Sequence, residues 1–106
     1  MSKIKAIIKR PDEEFGHIAN ISCILENLQK TVGGNIETLY LGRGTILIVN
    51  EEGKLLGLEP NFRIGHGAFV DLIVGTAIVV GRKEDDFGDI QISFQTWKSL
   101  LKEWGN

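Results

Sequence analysis

The chain has 106 residues, a mass of 11.8 kDa and an apolar share of 42%. These values predict one globular domain over residues 1–106 and exclude a disordered or fibrous chain, because a chain of this size buries about two-thirds of its surface on folding. The formal charge of −2 provides no overall positive field for nucleic acid, and a single cysteine excludes an internal disulfide framework. No apolar run reaches the roughly 18–20 residues of a membrane span, and the N-terminal one is too short for a signal peptide. We therefore expect a cytoplasmic protein.

The first third of the chain predicts a strand followed by a helix. Residues 3–9 alternate lysine with apolar residues before Arg10-Pro11, which is typical of a strand. An apolar stripe at helical spacing then consists of Ile21, Ile24, Leu25, Leu28 and Val32. Asn20 or Ser22 is the expected N-cap, and Gly33-Gly34 the expected stop.

From Asn35 onward, the spacing of the apolar residues becomes that of strands. Residues 36–41 and 45–50 flank Gly42-Arg43-Gly44, which predicts a hairpin, and the second strand is apolar on both faces and therefore central in the sheet. The next segments predict a turn at residues 51–53 and then a returning arm that ends at residues 59–61.

The following segments predict a loop, a buried strand and a second loop. Residues 62–67 form an expected glycine-rich loop, and Gly75 divides the apolar run 69–80 into a short lead-in and a buried strand over 76–80. The charged segment 82–89 is expected to be a solvated loop.

The C-terminal segment predicts a second amphipathic helix. Ser93 is the expected N-cap, Ile92 is placed to pack on Trp97, and Gly105 occupies the C′ position. The apolar stripe consists of Phe94, Trp97, Leu100, Leu101 and Trp104. Runs of consecutive strands favour an α+β fold, with a largely antiparallel sheet of four to five strands and both helices packed on one face.

Few residues are placed for chemistry. His17 and His66 have no partner at metal-ligand spacing, so neither a metal nor a cofactor is expected. Cys23 is interpreted as a small, partly buried spacer. The two glycine-flanked loops are expected to be turns, although exposed amides beside Arg43 or His66 would also suit a phosphate.

The charged residues give one unusual position. Asp71 lies inside an apolar stretch, so we expect it to be buried and hydrogen-bonded to loop backbone, with a catalytic role as the alternative. The acidic runs are expected to stay solvated, while the basic residues at positions 3, 5, 9 and 10 form a small positive patch. Direct nucleic-acid binding is not expected, because the patch is small and the aromatic residues belong to the core.

Four pieces of the chain resemble a known family in their order and spacing. They read LQKxVGGxIE (residues 28–37), NEEGK (50–54), GLxPN (57–61) and VGTAIVVG (74–81). They are similar to the family described as domain of unknown function 3846. That family is met in phages, plasmids and conjugative elements and has no general assigned activity, so the resemblance implies a genomic setting more than a chemistry. We interpret the residues of these pieces that would otherwise suggest a site as turn and strand-end residues; they are Asn50, Glu52, Lys54, Pro60 and Asn61.

The leading hypothesis is a non-enzymatic binding protein of a phage or mobile element, which acts stoichiometrically on a host protein or ribonucleoprotein. Inhibitors of restriction or CRISPR defence are one class of such proteins. One alternative is a small-ligand or nucleotide-binding protein that uses Arg43 and His66. The other is a metal-dependent nuclease that uses Glu52 and Asp71. A homodimer through an uncovered sheet face is also allowed, although Lys3, Lys5 and Lys9 would discourage edge pairing if the first strand were peripheral.

A binding site is expected where the arm after residue 53 meets the loop Gly65–Asp71. The candidate binding residues are Arg43, Asn50, Glu52, Lys54, Asn61, Arg63, His66 and Asp71.

Overall fold

The computed structural model describes residues 3–106, which form eight strands, two α-helices and one short 3₁₀ turn at Gly67–Phe69. In chain order the elements are β1 (Lys3–Lys9), β2 (His17–Ser22), α1 (Leu25–Val32), β3 (Ile36–Gly42), β4 (Thr45–Asn50), β5 (Pro60–Ile64), β6 (Asp71–Val74), β7 (Ala77–Lys83), β8 (Asp86–Gly88) and α2 (Phe94–Glu103).

The strands form one large sheet and one separate hairpin. The large sheet has six strands in the order β2-β1-β7-β4-β3, with β8 paired to β7, and β5 pairs with β6 in the second sheet. Each of these pairings is antiparallel. The expected α+β fold with a largely antiparallel sheet is therefore confirmed. The central position expected for residues 45–50 is confirmed as well, because β4 lies between β7 and β3.

The two helices cover opposite faces of the large sheet, whereas one shared face was expected. In β7, Val79 belongs to the core cluster that contains Trp97 of α2, and Ile78 belongs to the cluster that contains Leu28 of α1. Successive residues of a strand point to opposite faces, so the two clusters lie on the two sides of the sheet. Because β7 is apolar on both faces, each face needs its own cover. We call these the α1 side and the α2 side.

The first helix is shorter than the apolar stripe predicts. Residues 17–22 form β2, in which the buried Ile21 pairs with Ile4 of β1, so that Ile21 belongs to a strand. The helix begins at Leu25 after Ile24, an N-cap without a side-chain hydrogen bond. Its end is as predicted, since Gly33 adopts a left-handed φ of 84°. Pairing with β1, the preceding strand, thus replaces the first turn of the predicted helix.

Two predicted loops contain strands. Residues 51–57 form successive turns, and β5 begins at Pro60, where the returning arm was expected to end. Phe62 of β5 pairs with Ile73 of β6, is only 2% exposed and meets the Trp97 ring edge-on at 5.6 Å, so this segment is a strand that packs on α2. The charged segment 82–89 likewise contains the end of β7 and all of β8.

The second helix matches its prediction closely. Ser93 is the N-cap, and its Oγ accepts a hydrogen bond from the Thr96 backbone N–H at 3.0 Å. Ile92 and Trp97 are buried in the same cluster, and Gly105 follows with a φ of 90°. Neither helix in residues 3–106 is long and apolar enough to cross a membrane.

Candidate functional site

A groove on the α2 side contains half of the sequence-predicted site residues. It has a volume of about 220 Å³ and lies between β3, the end of β4, the turn that follows β4, and β6. We call it the acidic groove. Its lining residues are Glu37, Leu39, Val49, Asn50, Glu51, Glu52, Gly53, Lys54, Leu55, Asp71, Leu72, Ile73 and Val74.

Asn50 builds the turn that forms one wall of the groove. The side chain is buried, its Nδ2 donates to the Val32 backbone oxygen at 3.2 Å, and its Oδ1 accepts from the Glu52 N–H at 2.8 Å. Gly53 N–H donates to the Asn50 backbone oxygen at 3.2 Å, and a Cβ on Gly53 would lie 2.9 Å from a Val74 methyl group. Both polar ends of Asn50 therefore serve the fold, joining the end of α1 to this turn.

Asp71 pairs with Lys54 at the mouth of the groove. Lys54 Nζ lies 2.5 Å from Asp71 Oδ1, and the two side chains are 62% and 50% exposed. The expectation of a buried Asp71 bonded to loop backbone is therefore wrong. The reason is that β6 belongs to a two-stranded hairpin, so only Ile73 of that strand is buried. The two segments expected to form a site do meet at this pair, and ligand binding there stays a prediction.

The groove combines an apolar base with a negative mouth. Val49 and Ile73 are buried at 6% and 4% exposure and belong to the α2-side cluster. Four lining carboxylates against the single ammonium of Lys54 give a formal charge of −3. In the part of the chain that the structure describes, Glu37, Glu51 and Glu52 take part in no salt bridge.

The other predicted site residues lie outside the groove. Asn61 is bonded to Lys9 and to the Gly75 backbone oxygen, and the Arg63 backbone exchanges hydrogen bonds with the Asn106 side chain. His66 Nε2 lies 3.7 Å from a Glu103 carboxylate oxygen. The structure therefore brings together Asn50, Glu52, Lys54 and Asp71, and leaves Arg43, Asn61, Arg63 and His66 apart from them.

Arg43 occupies the hairpin turn between β3 and β4, where it adopts a positive φ of 54°. This is the turn predicted from its two flanking glycines. Neither Arg43 nor His66 lines the acidic groove, so the two side chains of the nucleotide-binding alternative do not meet there.

Lys9 does not contribute to a surface patch. It is 3% exposed, and its Nζ donates to the Glu13 backbone oxygen and to Asn61 Oδ1, each at 2.6 Å. Burial lowers the pKa of Lys9, against the opposing effect of the Glu13 and Asp12 charges. The basic patch expected from the N-terminal strand therefore loses this lysine, while Lys3, Lys5 and Arg10 are exposed.

Glu13 accepts bonds from two neighbours. Its Oε1 accepts from the Arg10 backbone N–H at 2.9 Å, and its Oε2 lies 2.7 Å from His17 Nδ1. Partial burial acts to raise the pKa of Glu13, but the Arg10 N–H and the His17 ring outweigh it, so the pKa lies below its usual value. This cluster is a link between the first loop and β2.

No metal centre is assembled within residues 3–106, since no three side chains of His, Cys, Asp or Glu there are placed to hold an ion. Glu52 and Asp71, the pair of the nuclease alternative, both line the groove, but Asp71 already binds the Lys54 ammonium. Cys23 is half-buried against the α1-side cluster, in agreement with its interpretation as a spacer.

Comparison with known proteins shows that one family model matches this chain. The model of the family described as domain of unknown function (DUF3846) matches residues 4–102, nearly the whole chain. The chain belongs to this family. No curated protein and no solved structure matches it. In this DUF3846 chain the matched region runs from β1 into α2 and includes every residue that lines the acidic groove.

The sequence did not predict the exposed apolar residues next to the groove of this DUF3846 chain. Leu55 and Leu56 are 87% and 60% exposed in the turn, and Leu72 is 40% exposed on β6. A leucine pair between Gly53 and Gly57, in a segment of turn character, is a signal that could have found the first two. No sequence pattern marks Glu37 as a site residue, because only the fold places β3 and β6 at the same groove.

Proposed function

We propose that this DUF3846 chain is a non-enzymatic binding protein of a phage or mobile element, which acts stoichiometrically on a host protein or ribonucleoprotein in the cytoplasm. The genomic setting comes from the family resemblance, and inhibitors of restriction or CRISPR defence are one class of such proteins. The contact surface of the proposal is the acidic groove with the exposed leucines beside it.

The observation that carries the proposal is the exposure of large apolar side chains around the groove. Leu55 and Leu72 line it, and Leu56 follows Leu55 in the turn. Val70 is 44% exposed and projects from the same side of the extended chain as Leu72. Large apolar side chains that are exposed to water contribute little to folding, and they contribute to affinity when a partner buries them, at about 25 cal/mol per Å².

A substitution at the most exposed of these leucines tests the proposal. The purified wild type is used to capture partners from a bacterial lysate, and the complex is characterised by light scattering and calorimetric titration. We expect a fixed 1:1 ratio with one host component, and Leu55→Asp should weaken that complex by about tenfold or more. Leu25→Asp is the matched control, because Leu25 is 55% exposed at the start of α1, on the other side of the sheet.

Two results would contradict the proposal. One is a wild-type protein that retains no host protein or ribonucleoprotein. The other is a complex that Leu55→Asp and Leu25→Asp weaken to the same degree, because the leucines beside the groove would then have no special role.

The nucleotide-binding alternative has less support. The groove volume of about 220 Å³ is below the range of small-molecule sites, about 300–1,000 Å³. Its formal charge of −3 would repel a phosphate. Thermal shift with nucleotides and cyclic dinucleotides tests this alternative, because a tight ligand raises the unfolding midpoint.

A further inference from the structure

We propose that the acidic groove binds an extended segment of the partner protein that carries a basic side chain, arginine above lysine, between aliphatic residues. This inference rests on the protein-binding function proposed above, and it adds the chemistry of the partner. The basic side chain enters the groove, and the flanking aliphatic side chains contact the leucines at its edge.

The negative charge of the groove favours a positively charged occupant. Glu37 lies on β3, and Glu51 and Glu52 lie on the turn, so glutamates from two separate segments line one cavity. All three side chains are exposed and, within residues 3–106, belong to no salt bridge. Asp71 already holds Lys54, which leaves the three glutamates uncompensated. A cation brought by a partner would complement this field, whereas an anion would be repelled.

Size and wall chemistry favour a long side chain with an apolar stem. The cavity of about 220 Å³ is of side-chain size, and its base is formed by apolar groups that include Val49 and Ile73. Lysine and arginine lay their methylene stems along apolar surface and keep the charged head at its edge. Arginine fits better than lysine, because its planar fork can bond two carboxylates at once and it is enriched in interfaces.

The backbone of β6 provides a place for an extended chain. All four residues of β6 line the groove, and β6 pairs with β5 on one side only. No other strand of the described chain pairs with β6. A strand that lacks a neighbour can accept an added peptide strand, whose alternate side chains then enter pockets on one face. By contrast, the Arg63 backbone on β5 is already bonded to the Asn106 side chain.

The test uses a short fluorescein-labelled peptide that alternates threonine and valine around a central arginine, with fluorescence anisotropy as the readout. The control peptide has glutamine in place of the arginine. We expect the wild-type chain to bind the arginine peptide at least about fivefold more tightly than the glutamine peptide, with a difference that shrinks at high salt. The double variant Glu37→Gln, Glu52→Gln should lose that preference.

A charge-matched variant separates a local effect from a general one. Glu14→Gln with Asp85→Asn removes the same formal charge at exposed positions outside the groove, and it should keep the preference. Equal binding of the two peptides to the wild type would overturn the inference. So would an equal loss in both double variants, because the attraction would then be that of the whole surface. If the peptide preference fails while Leu55→Asp still disrupts the captured complex, only the basic-segment inference falls, and the binding function stands.

Discussion

Lys9 and Asn61 are bonded to each other twice, although 52 residues separate them in the chain. Lys9 Nζ donates to Asn61 Oδ1 at 2.6 Å, and Asn61 Nδ2 donates to the Lys9 backbone oxygen at 2.8 Å. The same Nδ2 also donates to the Gly75 backbone oxygen at 2.8 Å. Because Lys9 ends β1 and Asn61 lies in β5, this contact fastens the hairpin to the large sheet. The β6 wall of the acidic groove is part of that hairpin.

Asn61→Ala should therefore destabilise the fold by about 2 kcal/mol, since it removes the side-chain hydrogen bonds to the Lys9 and Gly75 carbonyl oxygens and the acceptor of the buried Lys9 ammonium. Urea unfolding followed by circular dichroism measures the change. Asn20→Ala is the control, because Asn20 is exposed on β2, and it should change stability by less than about 0.5 kcal/mol. Similar losses from both variants would show that the Lys9–Asn61 contact contributes nothing special.

Lys9 should make stability rise with pH in the alkaline range. Burial lowers its pKa below the ordinary 10.5, so between the lowered pKa and about 10.5 the unfolded chain binds more protons than the folded one. In that window the free energy of unfolding increases with pH. Lys9→Met lacks this contribution, so the wild type should gain stability relative to Lys9→Met as the pH approaches 10.5. Urea unfolding of both proteins at several pH values measures the difference, and parallel curves would contradict the assignment.

Lys54 and Asp71 should contribute little to stability. Both side chains are at least half exposed, so solvent screens their attraction despite the short distance. A double-mutant cycle with Lys54→Met and Asp71→Asn should give a coupling below about 1 kcal/mol that vanishes at high salt. A coupling above about 2 kcal/mol that persists in salt would instead indicate a buried pair.

Trp97 should be the most sensitive aromatic position on the α2 side. It is fully buried, its Nε1–H donates to the Phe15 backbone oxygen at 2.9 Å, and it meets the Phe62 and Trp104 rings edge-on. Trp97→Phe should cost about 2–3 kcal/mol, because it removes that donor and leaves a cavity. Trp104→Phe, at a half-buried position, is the comparison and should cost less in thermal unfolding. Equal costs would contradict the special role of Trp97.

The sequence predicted well those elements whose signals are local. Ser93 and Gly33 mark helix ends by capping chemistry that depends only on neighbouring residues, and both have the predicted role. The hairpin around Arg43 follows from two flanking glycines. The predictions that failed depend on distant partners. Ile21 is a strand residue because Ile4 pairs with it, and Phe62 is a strand residue because it pairs with Ile73 of β6 and packs on Trp97.

The candidate site was predictable only in part for the same reason. Lys54 and Asp71 were named from the family-like motif and from a carboxylate in an apolar run, and they do meet. Their exposure was not predictable, because it depends on the pairing of β6 with β5 in a hairpin apart from the large sheet. Glu37 lines the groove, but the alternation of polar and apolar residues in β3 does not indicate that β6 lines the same groove.

By itself, the sequence determined the fold class, the central place of β4 and most helix ends, since hydrophobic period and capping are properties of short segments. Only the tertiary structure decided that the helices cover opposite faces and that the hairpin is fastened through Lys9 and Asn61. It also decided that glutamates of two segments, which belong to no salt bridge within residues 3–106, line one groove with an apolar base. Those features arise from contacts between residues far apart in the chain, where many pairings satisfy the same local pattern and packing selects one.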